Sequence, residues 1–203
     1  MKLYITDGSP YARIARIVIV EKGLEDRVEI VAAQTRRIDS PYYAINASGR
    51  VPYLVRDDGV GMEESALICA YLDQLDARPM FDLPPGEQRW EALRLEARAR
   101  SMMDGLAVWM RELRRPVHER SPTLIRHEAD RSARMANLWE HEIEHPWMRG
   151  PLNMAQITLA CALGLEGRCG DFRWRDARPR LSAWFETFAA RPSFVRTAPA
   201  SHP

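Results

Sequence analysis

Across 203 residues, 29 Lys and Arg are set against 28 Asp and Glu, a formal net charge of +1, and 46% of residues are apolar. The near balance of charge argues against a nucleic-acid binder that works by neutralising phosphates, which normally shows a basic surplus. The apolar share is that of a chain with a real core, and the length suits two small domains or one large one.

The first alternating run, Lys2 to Thr6, reads as a short strand. Ser9-Pro10 then supplies an N-cap and a proline at the first helical position. Ile14, Ile17 and Val18 follow at helical spacing up to Gly23, a usual helix terminator. Arg27 to Ala32 reads as a second strand, completing a βαβ unit with room for a parallel crossover. Residues 34–50 are polar and turn-rich, with Ser40-Pro41 able to start one short helix. Pro52 to Arg56 and Gly61-Met62 flank the turn signal Asp57-Asp58-Gly59, so a hairpin is expected. Glu64 to Leu75 returns to helical spacing through Leu67, Ile68, Tyr71, Leu72 and Leu75.

Pro79 to Gly86, with three prolines, reads as a linker, and strand signals stop beyond it. Helical patterns run over Gln88–Arg114, broken at Pro116, over Thr123–Glu144, closed by Pro146, over Asn153–Leu165, and over Arg180–Ala190, ended by Arg191-Pro192. The third is apolar on most faces and reads as buried. The expected fold class is therefore α/β plus all-α. A thioredoxin-like domain of order βαβ, loop, ββα over 1–78 is joined by a linker at 79–86 to an all-helical domain over 87–203.

Three cysteines, Cys69, Cys161 and Cys169, form no CxxC pair, which suits a reducing compartment. No basic leader with an apolar stretch opens the chain, and no run of 18 apolar residues is present. A cytoplasmic protein without membrane or nucleic-acid partners is expected. Asn46-Ala47-Ser48 matches the glycosylation sequon, which carries no weight in such a protein.

Four motifs in this order, Ser9-Pro10-Tyr11-Ala12-Arg13, Arg50-Val51-Pro52, Glu64-Ser65-Ala66 and Ala190-Arg191-Pro192-Ser193-Phe194, make the chain resemble the bacterial cytosolic glutathione S-transferase family over nearly its whole length. The resemblance implies a cis Val51-Pro52 bond that turns the Val51 backbone towards the cysteinyl part of glutathione, as an added strand would be met. It implies that Ser65 holds the γ-glutamyl carboxylate and Glu64 the ammonium, at a helix start where an anion is favoured. The glycine carboxylate it implies needs a cation, for which Arg36, Arg37 and Arg50 are the candidates, and the sequence does not choose among them.

Ser9 is the candidate catalytic residue, since a hydroxyl donor beside free N–H groups stabilises a thiolate. Tyr4 on the first strand is its rival, and a Ser before Pro is also a common cap. Tyr11, Met102, Met103, Trp109 and Met110 are candidates for an apolar electrophile pocket, although a methionine stripe is more often core. The resemblance implies a homodimer that conjugates glutathione, its co-substrate, to small electrophiles in detoxification, or uses it to reduce peroxides or isomerise. The alternative is a non-catalytic binding or stress-response protein of the same fold. No metal is expected. The absence of cysteine at position 9 disfavours a redox enzyme forming mixed disulfides.

One departure from the family pattern lies at the buried helix. Family members usually carry an Asp about three residues after a Ser or Thr cap, where this chain has Asn153 and Gln156. Asn153 can still cap, and Gln156 can reach back as in a neutral capping box. His141-Glu142-Ile143-Glu144-His145 fits the zinc-protease pattern HExxH. Its helix is expected to end at Pro146 without a third ligand in view, so it reads as a charged helix end. The arginines from Arg111 to Arg115, with Arg120 close by, read as a solvated face, and most of the six tryptophans as core or interface residues, with one or two left for the apolar pocket.

Overall fold

Short alternating runs give this chain its sheet, and long amphipathic runs its helices. The computed structural model describes residues 1–83, 85–170 and 172–200. The chain divides into two compact units, Met1–Asp82 with the segment that begins at Pro192, and Leu83–Arg191. Pro84 of the expected linker, and Asp171 and residues 201–203 of the expected helical domain, lie outside the described residues.

In the first unit, β1 (Lys2–Ile5) buries Leu3 and Ile5 and exposes Lys2, the period-two pattern of a half-buried strand. The Ser9 hydroxyl accepts the Ala12 N–H at 3.3 Å and starts α1 (Pro10–Glu21), which buries Ile14, Ile17 and Val18. Parallel β2 (Glu29–Ala32) begins two residues later than its sequence pattern suggests. The reason is local: the N–H groups of Arg27 and Val28 are taken by the Leu24 carbonyl in the turn after α1. After a 3-10 turn at Pro41–Ala44 come β3 (Tyr53–Val55), β4 (Gly61–Met62) and α2 (Ser65–Gln74). The sheet order is β2-β1-β3-β4, with β3 antiparallel to both neighbours. Leu54, Ile68 and Leu72 complete the core, each fully buried and worth about 1.5–3 kcal/mol.

The segment after α2 is tied down by charge. Lys22, one of two lysines in the chain, has a buried side chain whose Nζ lies 3.3 Å from Asp73 and 2.9 Å from Asp76. Lys22 also donates to the carbonyls of Asp73 and Arg78.

The expectation that everything from residue 87 onward is one helical domain is corrected at its end. A short helix, Pro192–Arg196, belongs to the first unit. Arg13 on α1 donates to the Phe194 carbonyl at 2.8 Å, and its guanidinium sits 3.7 Å from the Phe194 ring centroid. Ser193 bonds to Glu21 and Arg196 pairs with Glu25 at 2.9 Å. An apolar side chain and a buried cation so satisfy one another across a sequence gap no local pattern reveals.

The second unit is helical: α3 (Glu87–Leu113), α4 (Pro122–Glu142), α5 (Pro146–Arg149), α6 (Met154–Leu163) and α7 (Pro179–Ala189). The first-unit helix Pro192–Arg196 follows as α8. Helix α3 packs on α4 and α6, and α7 on α4 and α6. Residues 155–163 of α6 are all buried, as the all-round apolar pattern requires. Pro146, expected to close a helix, also opens α5, because His145 caps it by accepting the Trp147 N–H at 3.2 Å. Among the described residues no helix is long and apolar enough to cross a membrane.

Glu140 on α4 caps α7 across the unit: its carboxylate accepts the Leu181 N–H at 2.9 Å, the Arg180 N–H at 3.2 Å and the Arg180 side chain at 3.1 Å. Burial works to raise this carboxyl, but those donors outweigh it and hold it below the usual carboxylate range. A lowered folded-state value gives stability that is complete above the unfolded value, roughly 4.3 for glutamate. That stability is lost as pH falls through the folded value. Glu140→Gln is therefore expected to be less stable than wild type at pH 7, with the gap closing below about pH 4 in urea titrations run across pH.

Candidate functional site

Strand register gathers the chain's three suspicious motifs at one end of the sheet. Tyr4, near the end of β1, pairs with Tyr53 at the start of β3, and Met62 at the end of β4 pairs with Leu54. The loop from β1 to Ser9, the residues leading into β3, and the start of α2 therefore leave the sheet on the same side. The end of β2, running parallel to β1, lies there too.

Ser9 is half-buried. Its cap uses an oxygen lone pair, so the hydroxyl hydrogen is left for an acceptor placed beyond the start of α1. Proline at the next position contributes no N–H, and the helix dipole adds positive character at this point. Tyr4 lies on the sheet face opposite Leu3 and Ile5, with its ring 5.7 Å from that of Tyr42. Tyr11, in the first turn of α1, is half-buried.

Val51-Pro52 is a cis peptide bond. Pairing of β3 begins at Tyr53, so Val51 stands outside the ladder. The turn before it is held from inside. Tyr42 and Asn46, each 3% exposed, both donate to the Arg50 carbonyl, at 2.6 and 3.0 Å. Burial pushes the Tyr42 phenol up, which keeps it a neutral donor. Asn46 Oδ1 accepts the Ser48 N–H at 3.1 Å, an Asx turn. Gly49 has φ +64, and a Cβ there would stand 2.5 Å from the Tyr43 ring, so a larger residue would be strained and would have to displace that ring.

At α2 the backbone is strained. Glu64 has φ 72 and ψ 116 without a side-chain cap bond, a conformation costing about 1–3 kcal/mol and concentrated at functional sites. It delivers buried Ser65 to the first helical position, and Ser65 Oγ donates to Glu64 Oε1 at 3.3 Å. The first-turn N–H groups of α2 lack intrahelical acceptors and face any ligand at this helix start. Arg36 and Arg37 follow β2 and Arg50 precedes Val51, all three exposed at this end of the sheet.

The expected electrophile wall is corrected. Met102, Met103, Trp109 and Met110 are between 0% and 5% exposed, and Trp109 meets Phe172 edge-on. Side chains without surface do not line an open pocket; the methionine stripe is packed interior here. Three tryptophans, Trp109, Trp139 and Trp174, are buried, whereas Trp90 is 65% exposed.

HExxH is divided between two elements. Helix α4 ends at Glu142, whose carboxylate pairs with Arg94 and Arg98, and His145 spends Nδ1 on capping α5. Sequence reasoning missed Tyr42, Asn46, Ser48 and Glu63 as supports of the site. The Asn-x-Ser spacing, set aside as a sequon, was the available signal, since it is equally an Asx-turn spacing.

Residues 3–80 match the family model described as glutathione S-transferase, N-terminal domain. A glutathione transferase family member from Pseudomonas fluorescens Pf-5, solved with bound glutathione, is 30% identical. That alignment covers 98% of this chain and 99% of that one, with a TM-score of 0.89. A structure from the same organism with bound S-(propanoic acid)-glutathione is 31% identical over 99% of this chain and 100% of that one, with a TM-score of 0.87. The Escherichia coli K12 protein YibF, described as an uncharacterized GST-like protein, is 29% identical over 202 residues and 98% of either chain.

Proposed function

We propose that this chain, which belongs to the glutathione S-transferase family, binds glutathione at the shared end of its sheet and transfers the thiolate to small apolar electrophiles. The observation that carries the reading is the meeting, at one end of the sheet, of three groups. They are the Ser9 hydroxyl, a Val51 backbone outside the ladder, and Ser65 at the strained start of α2. Val51 pairs with the cysteinyl unit as a strand would. Ser65 and the α2 N-terminus hold the γ-glutamyl carboxylate, and Glu64 the ammonium. One of Arg36, Arg37 and Arg50 holds the glycine carboxylate.

A free cysteine thiol titrates near ~8.5, so little thiolate exists at neutral pH. The Ser9 O–H and the positive end of α1 stabilise the anion and lower that value. The sulfur lone pair then forms the S–C bond while a leaving group departs with its electrons, or adds to an activated alkene whose carbon takes a proton from water. Tyr11 is the remaining candidate for the wall that meets the electrophile. Peroxide reduction and isomerisation use the same thiolate, and a cytoplasmic homodimer acting in detoxification belongs to the same proposal.

Isothermal titration with glutathione up to millimolar concentration tests the reading; a flat titration contradicts it. Binding without conjugation of any member of a broad electrophile panel supports the non-catalytic alternative. For the enzyme, Ser9→Ala is expected to lower turnover of an aryl halide at least about tenfold, or about 1.4 kcal/mol of barrier. Glutathione affinity should change little, because the hydroxyl acts on the sulfur and not on the peptide's charged ends.

A further inference from the structure

We propose that Ser48 and Glu63 form a brace that fixes the distance between the two ends of the glutathione site, and so act as positioning residues for its affinity. The inference rests on the site reading above. A tripeptide held by Val51 at its middle and by Ser65 at its γ-glutamyl end needs those two anchors at a set separation. The β3–β4 ladder does not set it, because pairing starts at Leu54 and leaves residues 46–51 outside.

Ser48 Oγ lies 2.5 Å from Glu63 Oε2. The hydroxyl has one hydrogen, and although Asn46 Oδ1 is also within 3.1 Å, the shorter contact to a charged acceptor takes it. The same oxygen accepts the Arg50 N–H at 3.3 Å, one residue before Val51. At the other end, Glu63 is bonded through the chain to Glu64, whose positive φ sets Ser65 at the start of α2. The bond thus joins the turn that presents Val51 to the junction that presents Ser65. Glu63 itself is exposed, so it adds this link without the cost of burying a charge.

Glu63 also carries charge near the proposed ammonium subsite, and one variant separates the two roles. Glu63→Gln loses the charge and keeps an acceptor oxygen, whereas Glu63→Ala loses both. Glutathione titrations of wild type, Ser48→Ala, Glu63→Ala, Glu63→Gln and the double alanine variant form the experiment. Ser48→Ala and Glu63→Ala are each expected to weaken binding about fivefold, and the double variant also about fivefold rather than about 25-fold. Glu63→Gln, which keeps an acceptor of the weaker neutral kind, should lose less affinity than Glu63→Ala, with all melting temperatures within about 2 °C. Additive losses, unchanged singles, or Glu63→Gln as weak as Glu63→Ala would overturn the brace while leaving the site reading intact. No binding by wild type would instead remove the site reading on which the brace depends.

Discussion

Replacing Asp73 by alanine is expected to destabilise the α/β unit by about 3–5 kcal/mol, measured by urea unfolding. Asp73 is 1% exposed and serves as a hub for the chain leaving α2. Oδ1 accepts the Met80 N–H at 2.8 Å, and Oδ2 accepts those of Phe81 and Asp82 at 2.9 Å each. Lys22, whose side chain is 2% exposed, stands 3.3 Å away. Alanine removes the acceptor for three N–H groups and leaves a buried ammonium with one carboxylate fewer, which is why the loss exceeds that of an exposed pair. Asp73→Asn keeps one acceptor oxygen and should cost less than Asp73→Ala. Equal stability of Asp73→Ala and wild type would show that the segment 80–82 holds its course without this carboxylate.

Gln156→Glu is expected to be the second large loss, about 3 kcal/mol or roughly 6–12 °C in melting temperature. The substitution restores an acid of the kind usual in the family, so the direction is not obvious. A carboxylate at the third position of α6 gains about 0.3–1 kcal/mol from the helix dipole. Against that stands the surrounding chemistry. Gln156, 5% exposed, points its Nε2 at three carbonyls, those of Trp147 at 2.9 Å, Gly150 at 3.2 Å and Pro151 at 3.3 Å. Asn153 caps with Oδ1 on the Gln156 N–H at 3.1 Å and sends its own amide to Trp147 and Pro151. A carboxylate there has no hydrogen to give and meets oxygen on every side, so the lost amide hydrogen bonds outweigh the gain from the dipole. A Gln156→Glu protein as stable as wild type would contradict this balance.

That position also shows how far local reading reaches. The cap at Asn153 was legible, because a short polar side chain before an apolar run has one obvious partner. The reach of Gln156 was not: a capping box sends it to the cap's own N–H, whereas the loop between α5 and α6 offers carbonyls and only an amide can answer them. Ser9-Pro10, Asp57-Asp58-Gly59 and the start of α2 were legible for the same reason, since each solves a backbone problem within four residues. Arg13 and Phe194 were not, with 181 positions between them. Nor was the fate of Met102 and Met103, because apolar spacing tells which face is covered and not by what.

The candidate site was half legible. Ser9, Val51, Pro52, Glu64 and Ser65 stand in motifs, and strand register alone then places them at one end of the sheet. Their supports, Tyr42, Asn46, Ser48 and Glu63, act through contacts among turns and carry no periodic signal.

The measurement that tests the central claim most directly is the titration of the bound glutathione thiol, followed by its thiolate absorbance in wild type and in Ser9→Ala. The account predicts a wild-type pKa at least about one unit below the free value of ~8.5, and a return to within about half a unit of it in Ser9→Ala. A bound thiol that titrates at the free value in wild type, or that stays equally depressed without the Ser9 hydroxyl, would contradict it.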